Sequence, residues 1–141
     1  MRPKLEIRFF ELKLRSRERI EVIDITTEVE NLVRNSGIKD GICLIFCPHA
    51  TCFLILEEAE NRLIQDIRGK IEEDFLGRKY RHDEIDDNAF SHLASGFYSQ
   101  ARILPVRRGN LVRGTWQNIL FVELDGPREE RRVIVEILGV R

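Results

Sequence analysis

The sequence predicts a single α+β domain spanning residues 1–141, a mixed, mostly antiparallel β-sheet with about three helices. Three observations carry that reading. Apolar residues alternate at period two near the start, in the manner of a strand. Two near-continuous apolar runs then follow, as in strands covered on both faces. The period next changes to four, which is helical. Hairpin-like connections between strands favour α+β over a doubly wound α/β fold.

The elements follow in order. Lys4 to Leu14 reads as a strand with Leu5, Ile7 and Phe9 on one face. Arg15 to Arg19 is a polar turn, and Arg19 to Ile25 returns as a second strand, predicting a hairpin. Thr27 and Glu30 have the capping-box spacing and open a short helix with Val29, Leu32 and Val33 as its apolar stripe. Gly37 is placed to end it. Gly41 to Cys47 and Thr51 to Leu56 are the two apolar runs, separated at Pro48. Ala59, Leu63, Ile67 and Ile71 recur every four residues, predicting a helix from about Glu57 to Phe75. Gly77 to Asp87 is a polar loop. Asp86 or Asp87 can cap a third helix from about Asn88 to Ser99, with Leu93 and Phe97 turned inward. Ile103 to Val106, Asn118 to Leu124 and Arg132 to Leu138 are the closing strands, with tight turns at Gly109, Gly114 and Gly126-Pro127.

Composition narrows the function classes. The 141 residues carry 23 basic and 24 acidic side chains, for a net charge of -1. That balance argues against a nucleic-acid partner, which needs a basic face. The opening residues lack the apolar stretch of a secretory signal, and no apolar run is long enough to span a bilayer. The expectation is a cytoplasmic protein without a membrane partner. Cys43, Cys47 and Cys52 are odd in number and form no Cys-x-x-Cys, so they read as reduced, buried structural thiols, with a thiol site as runner-up.

The polar chemistry concentrates around three histidines, His49, His82 and His92. His49 stands at the end of a buried strand, where scaffolds present working side chains; a histidine capping a sheet edge would read the same. Asn88 and His92 are four apart and share a helix face, within about 6 Å. Two histidines among the acids Asp83, Asp86 and Asp87 can hold a divalent metal, zinc or magnesium, or exchange protons near neutral pH. A solvated acidic loop with helix caps would show the same pattern. Glu58 and Asp66 lie eight apart, a rise of about 12 Å on an ideal helix, so they cannot hold one ion together. Glu58 is the better candidate, being nearer His49. Glu123 and Asp125 lie two apart on a largely apolar strand and share a face. Arg128, Arg131 and Arg132 can grip phosphate through their guanidinium forks.

Taken together, these segments resemble the YjbQ-like proteins, also called secondary thiamine-phosphate synthases. Pro48-His49-Ala50-Thr51 resembles the family's His-Thr-Thr segment, with Ala50 where a threonine is usual. Glu58 and Asp66 match its acidic helix. Tyr80, His82 and Asp83, then Asn88, Ser91 and His92, match its central motif. Gly114-Thr115-Trp116-Gln117 and Glu123, Asp125, Gly126, Pro127 and Arg128 match its C-terminal signature. Ser95 to Ser99 departs from the glycine-like pattern that follows the motif. The likeness runs from about residue 4 to the end. It implies a trimer of single α+β domains with a weak thiamine-phosphate synthase activity, in which a pyrimidine diphosphate loses pyrophosphate to a thiazole phosphate.

The resulting expectation is an enzyme acting on a small phosphorylated substrate. His49, His82, His92, Glu58 and Asp83 are the catalytic candidates; Arg128, Thr51, Gln117 and Asn88 are the phosphate-binding ones; His82, His92 and His49 are the metal ligands. A trimeric module that binds a metal or phosphometabolite without turnover, and a metal-dependent hydrolase, are the alternatives.

Overall fold

The alternating segment at the start forms β1 (Glu6–Ser16), and its partner is the last strand of the chain. This computed structural model describes residues 2–141. After β1 come β2 (Glu21–Asp24), α1 (Thr26–Asn35), β3 (Asp40–Phe46), β4 (Cys52–Glu57) and α2 (Asn61–Phe75). A 3₁₀ turn (Arg81–Glu84) leads into α3 (Ala89–Tyr98). Then follow β5 (Ala101–Arg107), β6 (Asn110–Leu111), β7 (Asn118–Glu123) and β8 (Arg128–Val140). The α+β class and the three helices are as the sequence predicts. The strands, however, divide into two sheets, β1-β8-β3-β5-β6 and β2-β7-β4. Each pairing described is antiparallel.

The expected hairpin of the first two strands does not form. β1 pairs with β8 from Glu6↔Gly139 to Ser16↔Arg128, while β2 pairs with β7. The turn between them carries the chain from one sheet to the other. It is held by the Glu21 carboxylate, which accepts the N–H groups of Arg17 and Glu18. The long β8 ladder satisfies far more of β1 than the four residues of β2 could.

Between the sheets lies the main core. Cys43 and Ile45 of β3, Leu104 of β5, and Val133, Val135 and Ile137 of β8 face Leu54 of β4 and Ile119 and Phe121 of β7. Val29 and Val33 of α1 close one side. A second cluster lies on the other face of the smaller sheet, where Phe53, Val122 and Leu124 meet Ile71 of α2 and Phe90 and Ala94 of α3. β4 and β7 are thus covered on both faces, which accounts for their continuous apolar runs. β3 is covered on one face only; Ile42 and Phe46 point outward with Ile7, Phe9 and Ile103. Leu5, Ile7 and Phe9 share one face, as the alternation predicts, and that face is exposed, while Phe10, Leu12 and Leu14 pack on the core. Both faces of β1 carry apolar residues, so alternation alone could not assign the inner one.

Helix boundaries moved for local reasons. α1 starts at Thr26 because the Asp24 carboxylate accepts both its N–H and its hydroxyl, so no Thr27–Glu30 capping box forms. α2 starts at Asn61 because the β7 ladder holds β4 as far as Glu57, and Glu60 caps the first turn. α3 presents Phe90, Ser91, Ala94 and Ser95 inward. Leu93 and Phe97 face out, Phe97 being 75% exposed. Small side chains let the helix sit close to the end of β7, and the Ser91 hydroxyl donates to the Leu124 carbonyl at 2.6 Å. At the β5–β6 hairpin, Arg108 and Gly109 both have positive φ, as a tight turn of this kind demands. No helix among the described residues is long and apolar enough to cross a membrane.

One ion pair is buried at the end of the smaller sheet. The Glu123 carboxylate is wholly buried and takes the Arg131 guanidinium at 2.8 and 2.5 Å. It also accepts the Ser16 hydroxyl at 2.7 Å and the Asp125 N–H at 3.1 Å. Arg131 donates in turn to the Thr51 hydroxyl at 2.8 Å. Burial pushes the Glu123 carboxyl up, but these hydrogen bonds outweigh it and hold it below the ordinary carboxylate range. Removing one partner strands a buried charge. Glu123→Ala is therefore expected to lower unfolding free energy by about 3–5 kcal/mol in urea titration; a loss under about 1 kcal/mol would show the pair to be dispensable.

Candidate functional site

A chain of polar contacts starts on the β7–β8 turn. The Arg128 Nη2 and Nε donate to Oδ2 and the backbone carbonyl of Asp125, each at 3.0 Å. The same Oδ2 accepts the Asn88 amide at 2.9 Å. Asn88 Oδ1 can only accept, so the His82 Nε2 at 3.1 Å carries the proton of that bond. The His82 ring meets the His92 ring edge to face, with centroids 4.8 Å apart. Three elements converge here: the 3₁₀ turn brings His82, the first turns of α3 bring Asn88 and His92, and the β7–β8 turn brings Asp125 and Arg128.

Packing explains the close approach of the loops. A side chain on Gly126 would strike the Glu18 carbonyl at 2.0 Å, and the Gly126 N–H bonds the Arg19 carbonyl. Only glycine lets the β7–β8 turn lie against the β1–β2 turn. That contact delivers Arg19 to the same place. Its guanidinium sits 4.9 Å above the Phe90 ring and donates to the Asp87 carbonyl. Arg19, Asn88, Asp125 and Arg128, with Asp86 and Asp87, line an open cleft of roughly 340 Å³. The two guanidinium groups offer donors to an anionic ligand, which must compete there with the carboxylates of Asp87 and Asp125 that pair with them.

Other expected residues have different duties. Asp83 caps α3, its Oδ1 accepting the Ala89 N–H at 3.1 Å, in place of Asp86 or Asp87. The Thr51 hydroxyl is buried and engaged by Arg131. His49 Nε2 accepts the Arg132 N–H at 2.9 Å, which ties the β3–β4 loop to β8. Gln117 accepts the Gly114 N–H, holding its own turn. Glu58 and Gln117 lie past the other end of the smaller sheet. Cys52 is opposite Glu123 and Glu57 opposite Asn118, five residues along, or roughly 17 Å at strand rise. Within one chain neither reaches the His82–His92 cluster. Glu58 also precedes α2 instead of opening it, so the helical spacing to Asp66 does not describe this pair.

Among the described residues, no group of three His, Cys, Asp or Glu side chains converges as a metal site. His49, the expected third imidazole, is bound to the Arg132 backbone. The residues described in one chain do not fit a resident zinc. Arg19 escapes sequence reasoning altogether. Glu123 and Arg131 are legible as single candidates but not as partners, and the buried pairing spends Arg131 on Glu123 and not on phosphate.

Burial, and then the Arg131 and Arg132 charges, hold the His49 imidazole below its ordinary value of about 6.5. A base with a depressed folded value binds protons more weakly folded than unfolded. Stability therefore falls as pH drops below about 6.5, until the folded value is passed. Urea midpoints should decrease between pH 7 and pH 5, and His49→Gln should remove part of that decrease. An unchanged pH slope in the variant would assign the loss to other groups.

Residues 10–140 match the family described as UPF0047 protein YjbQ-like. A UPF0047 protein of Archaeoglobus fulgidus is 43% identical over 129 residues, 91% of this chain and 99% of that protein. One from Methanothermobacter thermautotrophicus is 40% identical, covering 96% and 94%. Among solved structures, a protein of Sulfolobus solfataricus described as YbjQ-like and of unknown function superposes with a TM-score of 0.95 at 48% identity, covering 96% of this chain and 99% of that one. A hypothetical protein from Aeropyrum pernix gives 0.90 at 38%, covering 94% and 98%. With residues 10–140 matched to the family and the fold and nearly the full length in common with these relatives, this chain belongs to the UPF0047 (YjbQ-like) family.

Proposed function

We propose that the chain is a small enzyme that binds a phosphorylated substrate in the cleft beside His82 and His92. The observation that carries this reading is the hydrogen-bonded series Arg128–Asp125–Asn88–His82, ending on the His92 ring. Each member fixes the next, so the imidazoles and the guanidinium are oriented before a ligand arrives. Such preorganisation is what stabilises charge developing in a transition state.

The reaction we assign is displacement of pyrophosphate from a hydroxymethylpyrimidine diphosphate by a thiazole-phosphate nitrogen. The carbon–nitrogen bond forms as the carbon–oxygen bond breaks, and the electron pair leaves on the pyrophosphate oxygen. Arg128 and Arg19 offer donors to that leaving group. To His82 and His92, which stand behind Asn88 at the edge of the cleft, we assign the supply of hydrogen bonds or a proton to it. Asp125 and Asn88 act as positioning residues. Pyrophosphate release by purified protein with the two precursors tests the assignment. Arg128→Ala and His82→Ala should each slow turnover by about 10²-fold. Unchanged rates in both would overturn it. Retained phosphate-ligand binding without any turnover would favour the second reading, a binding module, which the openness of the cleft to water supports.

The same resemblance leads us to assign a trimer. Support comes from the outer face of the larger sheet, where Ile7, Phe9 and Ile103 are 59%, 56% and 63% exposed beside Ile42 and Phe46. A largely apolar sheet face of this kind, interrupted by Glu136 between Phe9 and Leu44, fits a second copy of the chain. Phe9→Glu is expected to reduce the mass in solution, by light scattering, to that of one chain; a wild-type protein that is already monomeric would refute the assembly.

A further inference from the structure

We propose that Cys47 and Cys52 form a dithiol site that small-molecule disulfides oxidise to an internal bridge, stapling the larger sheet to the smaller one beneath the His49 loop. Their sulfurs are 3.3 Å apart, closer than the roughly 3.5–4.0 Å of ordinary carbon contacts. A bridge needs them to approach by only about 1.2 Å more. The two residues occupy special places. Cys47 directly follows β3 in the five-stranded sheet, and Cys52 opens β4 in the three-stranded sheet. Between them lie only Pro48, His49, Ala50 and Thr51. Cys43 faces the same core, but among the described residues the structure records no sulfur contact for it.

The surroundings suit a pair that rests as thiols and reacts on demand. The Cys47 thiol is pushed far up by its contact with Cys52 and then by burial. Burial alone raises Cys43 to about 12. The Arg131 guanidinium opposes the rise at Cys47 and also interacts with Cys52, so a positive charge stands ready beside any thiolate formed there. Both cysteines are within 1% of full burial, so a reagent reaches them when the loop opens locally. One thiol then loses its proton and attacks the reagent disulfide, releasing one reagent thiol. The second thiol attacks the mixed disulfide and releases the other. Two electrons and two protons pass from the cysteines to one reagent disulfide, which leaves as two thiols.

The test uses reduced protein and excess hydroxyethyl disulfide, followed by denaturation and alkylation. Trypsin leaves all three cysteines on one peptide, residues 40–62. The expected peptide is lighter by two hydrogens, alkylated only at Cys43, and gives no backbone fragments between Cys47 and Cys52. Melting temperature should rise by about 5 °C and return on treatment with dithiothreitol. Three alkylated cysteines, a bridge that includes Cys43, or a bridged protein with unchanged melting would each overturn the proposal.

Discussion

The buried pair of Glu123 and Arg131 is the constraint around which the working end of the molecule is arranged. A carboxylate can sit wholly buried at the end of β7 only if every lone pair finds a donor. Those donors come from the end of β1, the start of β8 and the turn after β7. Arg131 then needs acceptors of its own, and Thr51 on the β3–β4 loop supplies one. Three chain segments distant in sequence, around Ser16, Thr51 and the β7–β8 hairpin, are thereby registered on one ion pair. The apolar core would allow each some latitude; unsatisfied charge does not.

Function-bearing groups inherit that registration. Asp125 follows Glu123 by two residues and donates its N–H to it, so the turn carrying Asp125 and Arg128 is fixed from beneath. Asp125 in turn orients Asn88, and through it His82. On the other side, the loop holding His49 is secured through Thr51 and through the Arg132 N–H. The expected pairing of Glu123 and Asp125 as two acids on one face resolves into a division of labour. Glu123 anchors the framework, and Asp125 faces the cleft.

α3 shows how the fold serves this end of the sheet. Its inward face is built from alanine and serine beside a single phenylalanine. A helix led by Leu93 and Phe97 would stand further from β7 and carry Asn88 and His92 away from the β7–β8 turn. The bulky residues instead face outward, where Phe97 meets the Phe75 ring of α2 at 6.0 Å. Close approach, more than apolar area, sets the helix position.

Much was legible in the residues themselves. Period and punctuation located three helices and most strands, because local periodicity reflects which faces of an element are wet. The apolar run of β4 identified it as doubly covered, whereas the similar run of β3 leaves Ile42 and Phe46 on an exposed face. The cluster of His82, Asn88 and His92 was readable because a turn and one helix hold it together. The partner of β1, the division into two sheets and the exposed face of β1 came from tertiary structure alone. A strand with apolar residues on both faces fits either orientation, and only its pairing partner chooses. The placement of Glu58 and Gln117 beyond the far end of a ladder that runs roughly 17 Å from Cys52 and Glu123 was likewise invisible, since sequence order carries no register between β4 and β7. The sequence by itself determined the element types and the chemistry available. Tertiary structure decided which of those groups meet, because pairing register and the burial of one charge are properties of distant segments in contact.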